Sequence, residues 1–347
     1  MNKYRVGIVG SGWVAGAHLS AFKELESFEP VAVMTRRDIQ PAEFKEEYGV
    51  DLKVYHDYDK FLGDKDIDIV DICTPHHLHA EQTVRAAGAG KDLIIEKPVA
   101  LNFEDAVRML RAVEKNGVRT SVCFEARFIS VAKAMESIIA QGLIGDIYYA
   151  ECDYFHGIGP WYRQFEWNVK KEIGGSSLLT AGCHALDMLL WLTGAEVEEV
   201  FSYSTLNPHE DYRPYEYDAT SVTLLKFKDS GLIGKVASVT DCMQPYVFNM
   251  NMVGSHGSLK NELFFSKKIE GLNGWTKMDV QLIDSGDVAH HPYSAQFAYY
   301  AECLDKGEEG HNSLRNAFET HRVVFAADRS AETGKPVSLS EFASITS

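Results

Sequence analysis

Arg5-Val6-Gly7-Ile8-Val9-Gly10-Ser11-Gly12-Trp13-Val14-Ala15 decides the fold of this chain. Val6 to Val9 is a short apolar run suited to a buried strand, and an amphipathic stretch follows the glycines, so GxGxxA sits in a strand, turn and helix context. Gly10 allows the tight turn, Gly12 lets the backbone reach a pyrophosphate, and Ala15 permits close helix packing. The helix N-terminus around Ser11, Trp13 and Val14 then receives the phosphate charge. Alone the pattern is weak and a plain glycine turn competes with it; the context makes it a dinucleotide cradle.

Working outward, short apolar runs alternate with amphipathic stretches through the first hundred residues, the signature of βαβ units on a parallel sheet. Strands are expected at Arg5 to Val9, Glu29 to Met34, Ile69 to Ile72, Asp92 to Ile95 and Thr120 to Phe124. A helix is expected from about Phe103 to Lys115, capped by Asn102 and followed by Gly117. After Phe124 the pattern changes. Helical stretches at Ile129 to Gln141 and Gly175 to Trp191 precede a strand-rich region in which Phe248, Met250 and Met252 alternate with polar residues, and helices return from Ser294. The expected division is residues 1–124, α/β, and residues 125–347, α+β.

Cofactor choice is read at the end of the second strand, Met34-Thr35-Arg36-Arg37-Asp38, where an acidic residue binds the ribose 2′-OH of NAD and an arginine accommodates the 2′-phosphate of NADP. Arg36 beside Thr35, with Arg37 next, favours NADP; the alternative leaves both arginines in solvent and gives Asp38 the ribose of NAD. Thr74 and Pro75 end another strand of the sheet, where the ligand crevice of an open sheet lies.

The 347 residues, 45% hydrophobic, suffice for two cores, and a net charge of −16 repels nucleic acid and acidic membrane surfaces. A neutral small molecule suits this field. Six cysteines without CxxC spacing read as core thiols of a reducing compartment. Residues 1–4 lead straight into the first apolar run without leader character, and no later segment approaches ~18 uninterrupted apolar residues, so a cytoplasmic location is expected. The histidines His76, His77, His79, His290 and His291 have no Cys or carboxylate partner at tetrahedral-site spacing, and no metal is expected.

Two polar clusters carry chemistry. Lys97, in Glu96-Lys97-Pro98 at a strand end, offers an ammonium that can hydrogen-bond a substrate hydroxyl and, if desolvated, transfer a proton. Thr180, His184 and Asp187 are spaced to share one stripe of an otherwise apolar helix, where burying them without partners would be costly. A lone His on such a helix is more often a core residue; with Lys97 and the cradle in the same chain, His184 is assigned as general acid/base. Tyr154, His156, Trp161 and Arg163 offer ring faces and donors suited to a pyranose, with core packing as the alternative.

Gly10 to His18, Thr74-Pro75-His76-His77-Leu78-His79 and Glu96-Lys97-Pro98 together resemble the Gfo/Idh/MocA family, named for glucose-fructose oxidoreductase and inositol dehydrogenase. The resemblance continues through Gly174 to Leu179, Gly182 to Asp187, Gly254 to Leu259 and Ser330 to Leu339. It implies a Rossmann domain followed by a domain with a large, mostly antiparallel open sheet, homodimers or homotetramers through that sheet, and no metal. It also implies hydride transfer on a secondary hydroxyl or ketone of a sugar, glycoside or inositol, with NADP or NAD. On this resemblance His76, His79, Glu96 and Lys97 join the cradle in binding cofactor, and the Lys97–Pro98 peptide is cis. Arg127, Thr180 and His184 approach the substrate beside Lys97. The chain departs at Thr180, where many members carry Asp, and at Glu125, where an amide is usual. Two other readings stay open: a glycoside-cleaving enzyme that oxidises the sugar transiently on tightly bound NAD, and a dinucleotide sensor without turnover. Loss of Lys97 or His184 would mark the sensor, and both are present.

Overall fold

The computed structural model describes residues 2–39 and 41–342. The chain divides into two compact units, Met1–Glu125 with Asp287–Phe318, and Ala126–Gly286 with Glu319–Ser347.

In the first unit β1 (Tyr4–Val9), β2 (Phe28–Met34), β3 (Lys53–Tyr55), β4 (Ile69–Ile72), β5 (Asp92–Ile95) and β6 (Thr120–Val122) form a parallel sheet in the order β3-β2-β1-β4-β5-β6. Its central strands are apolar runs buried on both faces, with Val6, Ile8, Ile69, Val70, Leu93 and Ile94 fully enclosed, as a parallel sheet requires. Strand order reverses between β1 and β4, and ligands of such sheets lie beyond the carboxyl ends of strands at that reversal. The strand β3 has no expectation in sequence because it is a three-residue edge with no fully buried residue. β6 stops at Val122 because its N–H turns to Asn312 O at 2.7 Å and the Phe124 N–H folds back on Val122 O.

The helix Phe103–Asn116 follows its sequence signals closely. The Asn102 side chain accepts from the Asp105 N–H, Gly117 closes the end at φ 62°, and Ala106, Met109, Leu110 and Val113 face inward. Asp287–Phe318 returns to this unit after the second sheet: Phe297, Tyr300, Ala301 and Leu304 complete one apolar cluster with Leu19, Phe22 and Phe28. The sequence division at residue 124 follows chain order, in which this return leaves only a helical pattern.

In the second unit β7 (Ile147–Phe155), β8 (Val197–Thr205), β9 (Thr220–Phe227), β10 (Ile233–Val239), β11 (Val247–Gly254), β12 (Gly257–Lys260), β13 (Leu263–Ser266), β14 (Thr276–Lys277) and β15 (Val337–Ser338) form one open sheet. Their order is β14-β13-β12-β11-β7-β10-β9-β8-β15, antiparallel except between β7 and β10. Period-2 alternation sets its faces. In β9, Ser221, Thr223, Leu225 and Phe227 point inward while Val222, Leu224 and Lys226 point to solvent. The expected helix Gly175 to Trp191 divides into a wide turn, Leu178–Gly182, and a helix, Cys183–Thr193. Gly182 packs on β10, where a Cβ would come within 2.4 Å of Ser238.

Candidate functional site

In the first unit the cradle is built from β1 outward. Gly10 has φ +110°, and a Cβ there would lie 2.5 Å from the Cys73 carbonyl oxygen, so both conformation and space demand glycine. Gly12 is the opposite case. Nothing lies within 4 Å of a Cβ built on it, so no protein atom explains this glycine, whereas a diphosphate approaching the backbone does. The helix Trp13–Lys23 starts there with no side-chain cap and no acidic residue in its first turn, which leaves its N–H donors suited to an anion. These residues fit a dinucleotide.

Thr35 is buried, its hydroxyl 2.7 Å from Ser11 Oγ, and it accepts the Arg37 N–H at 3.1 Å; Arg37 Nη1 donates to the Ser11 carbonyl. Thr35 and Arg37 therefore tie the ends of β1 and β2 together, and the Arg36 and Asp38 side chains are exposed. Thr74 Oγ1 donates to Gln82, and the buried His79 ring lies 2.7 Å from both the Thr74 and Pro98 carbonyls. His79 thus pins the turn after β4 to the turn after β5; burial lowers its pKa against the pull of the two carbonyls. Pro75 caps the short turn that begins at the buried His76. Lys97, half-buried, follows the end of β5 in a cis Lys97–Pro98 peptide.

Sequence reasoning missed the groups that hold this turn. His18 lies between Asp71 and Glu96, and Tyr293 donates to Glu96. Asp71 was the available signal, since a carboxylate inside the apolar run Ile69–Ile72 of a parallel strand must find a buried partner. His291 Nδ1 meets Glu125 at 3.0 Å, and this carboxylate outweighs burial to raise the ring's pKa. Among the described residues, the groups of His, Cys and carboxylate close enough to share an ion all include His18, and none involves His76, His77 or His290.

In the second unit Tyr154, His156 and His184 come together. The His184 ring stacks on Tyr154 at 6.2 Å, and Tyr162 and Tyr246, the latter absent from the sequence expectations, pack edge-on against His156. Three other expected substrate residues have protein partners. Arg127 is buried with Nε donating to Asp187 Oδ2 at 2.6 Å, and Thr320 adds a hydrogen bond to the same carboxylate. Thr180 Oγ1 donates to the Gly174 carbonyl at 3.0 Å and lies 3.3 Å from the Tyr217 hydroxyl. Trp161 is exposed, its indole N–H on Gly157 O; Arg163 is exposed as well.

Comparison with known proteins agrees with this architecture. Residues 4–124 match the oxidoreductase family described as an NAD-binding Rossmann fold, and residues 132–260 match the GFO/IDH/MocA C-terminal domain. The chain is 27% identical over 255 residues to myo-inositol 2-dehydrogenase of Thermotoga maritima, 74% of each chain. It is 31% identical over 207 residues to levoglucosan dehydrogenase of Pseudarthrobacter phenanthrenivorans, 56% of this chain and 52% of that one. Among solved structures, a levoglucosan dehydrogenase in complex with NADH and levoglucosan superposes with a TM-score of 0.84 at 22% identity, covering 97% of this chain and 100% of that one. The apo scyllo-inositol dehydrogenase of Lactobacillus casei gives 0.81 at 18% identity, covering 98% and 99%. The glycine cradle, the reversal of strand order beside it and both domain matches place this chain in the Gfo/Idh/MocA family, as an NAD(P)-dependent oxidoreductase.

Proposed function

We propose that the chain moves a hydride between a nicotinamide dinucleotide and a secondary hydroxyl or ketone of a sugar, glycoside or inositol. The observation that carries this reading is the open backbone at Gly12, at the end of the strand beside the order reversal, with Lys97 following the end of β5 in the same sheet. Relatives named for myo-inositol and levoglucosan support the substrate class. Gly10, Gly12 and the N-terminus of Trp13–Lys23 hold the diphosphate. The nicotinamide, when bound, supplies the hydride acceptor or donor. Lys97 donates a hydrogen bond to the reacting oxygen or exchanges its proton, with His184 as the alternative acid/base. Tyr154 and His156, with Tyr162 and Tyr246, offer ring faces to the apolar side of the sugar, while Trp161 and Arg163 offer exposed contacts to its periphery. Thr180 and Arg127 act by holding the frame of His184 and Asp187. A screen of sugars, glycosides and inositols with oxidised cofactor, followed at the nicotinamide absorbance band, tests the reading; glycoside cleavage without net reduction would favour the transient-oxidation alternative.

Arg36 is assigned to the 2′-phosphate, making NADP the preferred cofactor. Charge-assisted hydrogen bonds of roughly 1.5 to 3 kcal/mol make Arg36→Ala weaken NADP about 10- to 100-fold and leave NAD unchanged by fluorescence titration. Tighter binding of NAD by the unaltered chain would transfer the role to Asp38.

The outer face of the second sheet is assigned to a second copy of the chain. Tyr203, Leu224 and Ile233 are 68%, 55% and 58% exposed and lie on one face, Leu224 and Ile233 on neighbouring strands. Leu224→Glu together with Ile233→Glu should yield monomers by light scattering, and an unchanged mass would remove this face from the interface. No helix among the described residues is long and apolar enough to cross a membrane, and all six cysteines are free thiols, which suits a reducing compartment such as the cytoplasm.

A further inference from the structure

We propose that His18 is a positioning residue, a buried imidazolium that bridges Asp71 and Glu96 and thereby fixes both the place and the local charge of the Glu96–Lys97 turn. His18 lies on the diphosphate-binding helix Trp13–Lys23, Asp71 inside β4, and Glu96 just beyond β5, and all three are buried. His18 Nδ1 is 2.9 Å from Asp71 Oδ2, and its Nε2 is 3.2 Å from Glu96 Oε1.

The hydrogen-bond inventory sets the protonation. Glu96 receives the Lys97 N–H on Oε2 at 3.1 Å and the Tyr293 O–H on Oε1 at 3.2 Å, so it is an acceptor on both oxygens. The His18 Nε2 facing it is then a donor, and Nδ1 facing Asp71 is a donor too; a ring donating from both nitrogens is an imidazolium. The electrostatics agree. Burial is the largest effect and opposes the ring's charge; Asp71 first, with Cys73 and Cys123 beside it, together offset burial and hold the His18 pKa well above its ordinary value. Burial likewise opposes the Glu96 charge, and His18 and Lys97 hold that carboxyl low. The other titratable groups facing the ring are the thiols of Cys73 and Cys123, 3.3 and 4.0 Å from its nitrogens and raised in pKa by burial, and Tyr293, its ring at 4.4 Å; Phe297 and Phe22 add apolar edges. Glu125 adds a like charge that raises the Glu96 pKa, and His79 and His291 each interact electrostatically with Glu96 and Lys97.

The Asp71–His18–Glu96 group thus presents one net negative charge to Lys97, whose backbone N–H it holds directly. Without the imidazolium it would present two, and a buried negative charge added beside an ammonium favours the protonated form. This inference rests on the reading that Lys97 acts on the substrate, and its test separates the two. In nitrogen-detected NMR of the full chain, His18 should show both ring nitrogens protonated without titrating through the neutral range. His18→Gln should move the Lys97-dependent limb of the kcat–pH profile alkaline by about one unit, with cofactor affinity changed less than about threefold. Adding Asp71→Asn restores one net charge and should return the limb.

A His18 ring that titrates near its ordinary pKa overturns the bridge. So does an unmoved limb in His18→Gln, or a limb equally displaced in the double variant. A limb that persists in Lys97→Ala refutes the role of Lys97, and the NMR titration then decides the bridge by itself. That titration of the unaltered chain also decides it if His18→Gln does not fold.

Discussion

Lys97→Ala is expected to lower kcat about 10²- to 10⁴-fold, the range of a lost acid/base or hydrogen-bonding group, while dinucleotide affinity stays within a few-fold. The split follows from where the groups lie. The groups proposed to hold the diphosphate, Gly10, Gly12 and a helix N-terminus, owe nothing to the Lys97 side chain. The turn that carries Lys97 is anchored by other contacts: Glu96 accepts its backbone N–H, and His79 holds the Pro98 carbonyl. On the proposed reading, removing the ammonium deletes an interaction made with the reacting oxygen and leaves the frame. Turnover near that of the unaltered chain would dismiss Lys97; a parallel collapse of cofactor binding would make it a binding residue only.

Asp187→Ala is expected to be the most damaging single change to stability, about 3–5 kcal/mol, because it strands a guanidinium already out of water. Arg127 is buried, bonded to Asp187 through two nitrogens, and Thr320 completes the same carboxylate. Urea unfolding gives the loss directly. Replacing both partners with apolar residues, Arg127→Met with Asp187→Leu, should recover most of it, since the cost lies in the unmatched charge. A loss below about 1 kcal/mol for Asp187→Ala would show that this pair is not structural and would return Arg127 to the substrate.

The cradle was legible because its causes are local: one strand, one turn and one helix within residues 5–15 carry both the pattern and the context that gives it meaning. The Phe103–Asn116 helix was legible for the same reason, with its cap, periodicity and terminal glycine adjacent in the chain. The return of Asp287–Phe318 to the first unit was not, because tertiary packing rather than periodicity puts Phe297 beside Phe22. The polar stripe expected on one helix after Gly175 is split, because Thr180 lies in the wide turn Leu178–Gly182 and His184 and Asp187 lie on the helix Cys183–Thr193. Thr180, His184 and Asp187 are all buried, but their partners Gly174, Tyr154 and Arg127 lie on other elements, which spacing along one helix cannot reveal. Asp71 and His18 carry the same lesson from the other side: Asp71 inside an apolar strand signals a buried partner, but spacing along the chain does not name His18 as that partner.

The most direct measurement follows the label. A glycoside, sugar or inositol that the chain turns over is prepared with deuterium on the reacting carbinol carbon and turned over once. Deuterium should appear on the nicotinamide ring of the released cofactor, and Lys97→Ala should suppress its appearance. Deuterium retained wholly in a sugar whose glycosidic bond has been cleaved would contradict net hydride transfer and assign the chain to transient oxidation instead.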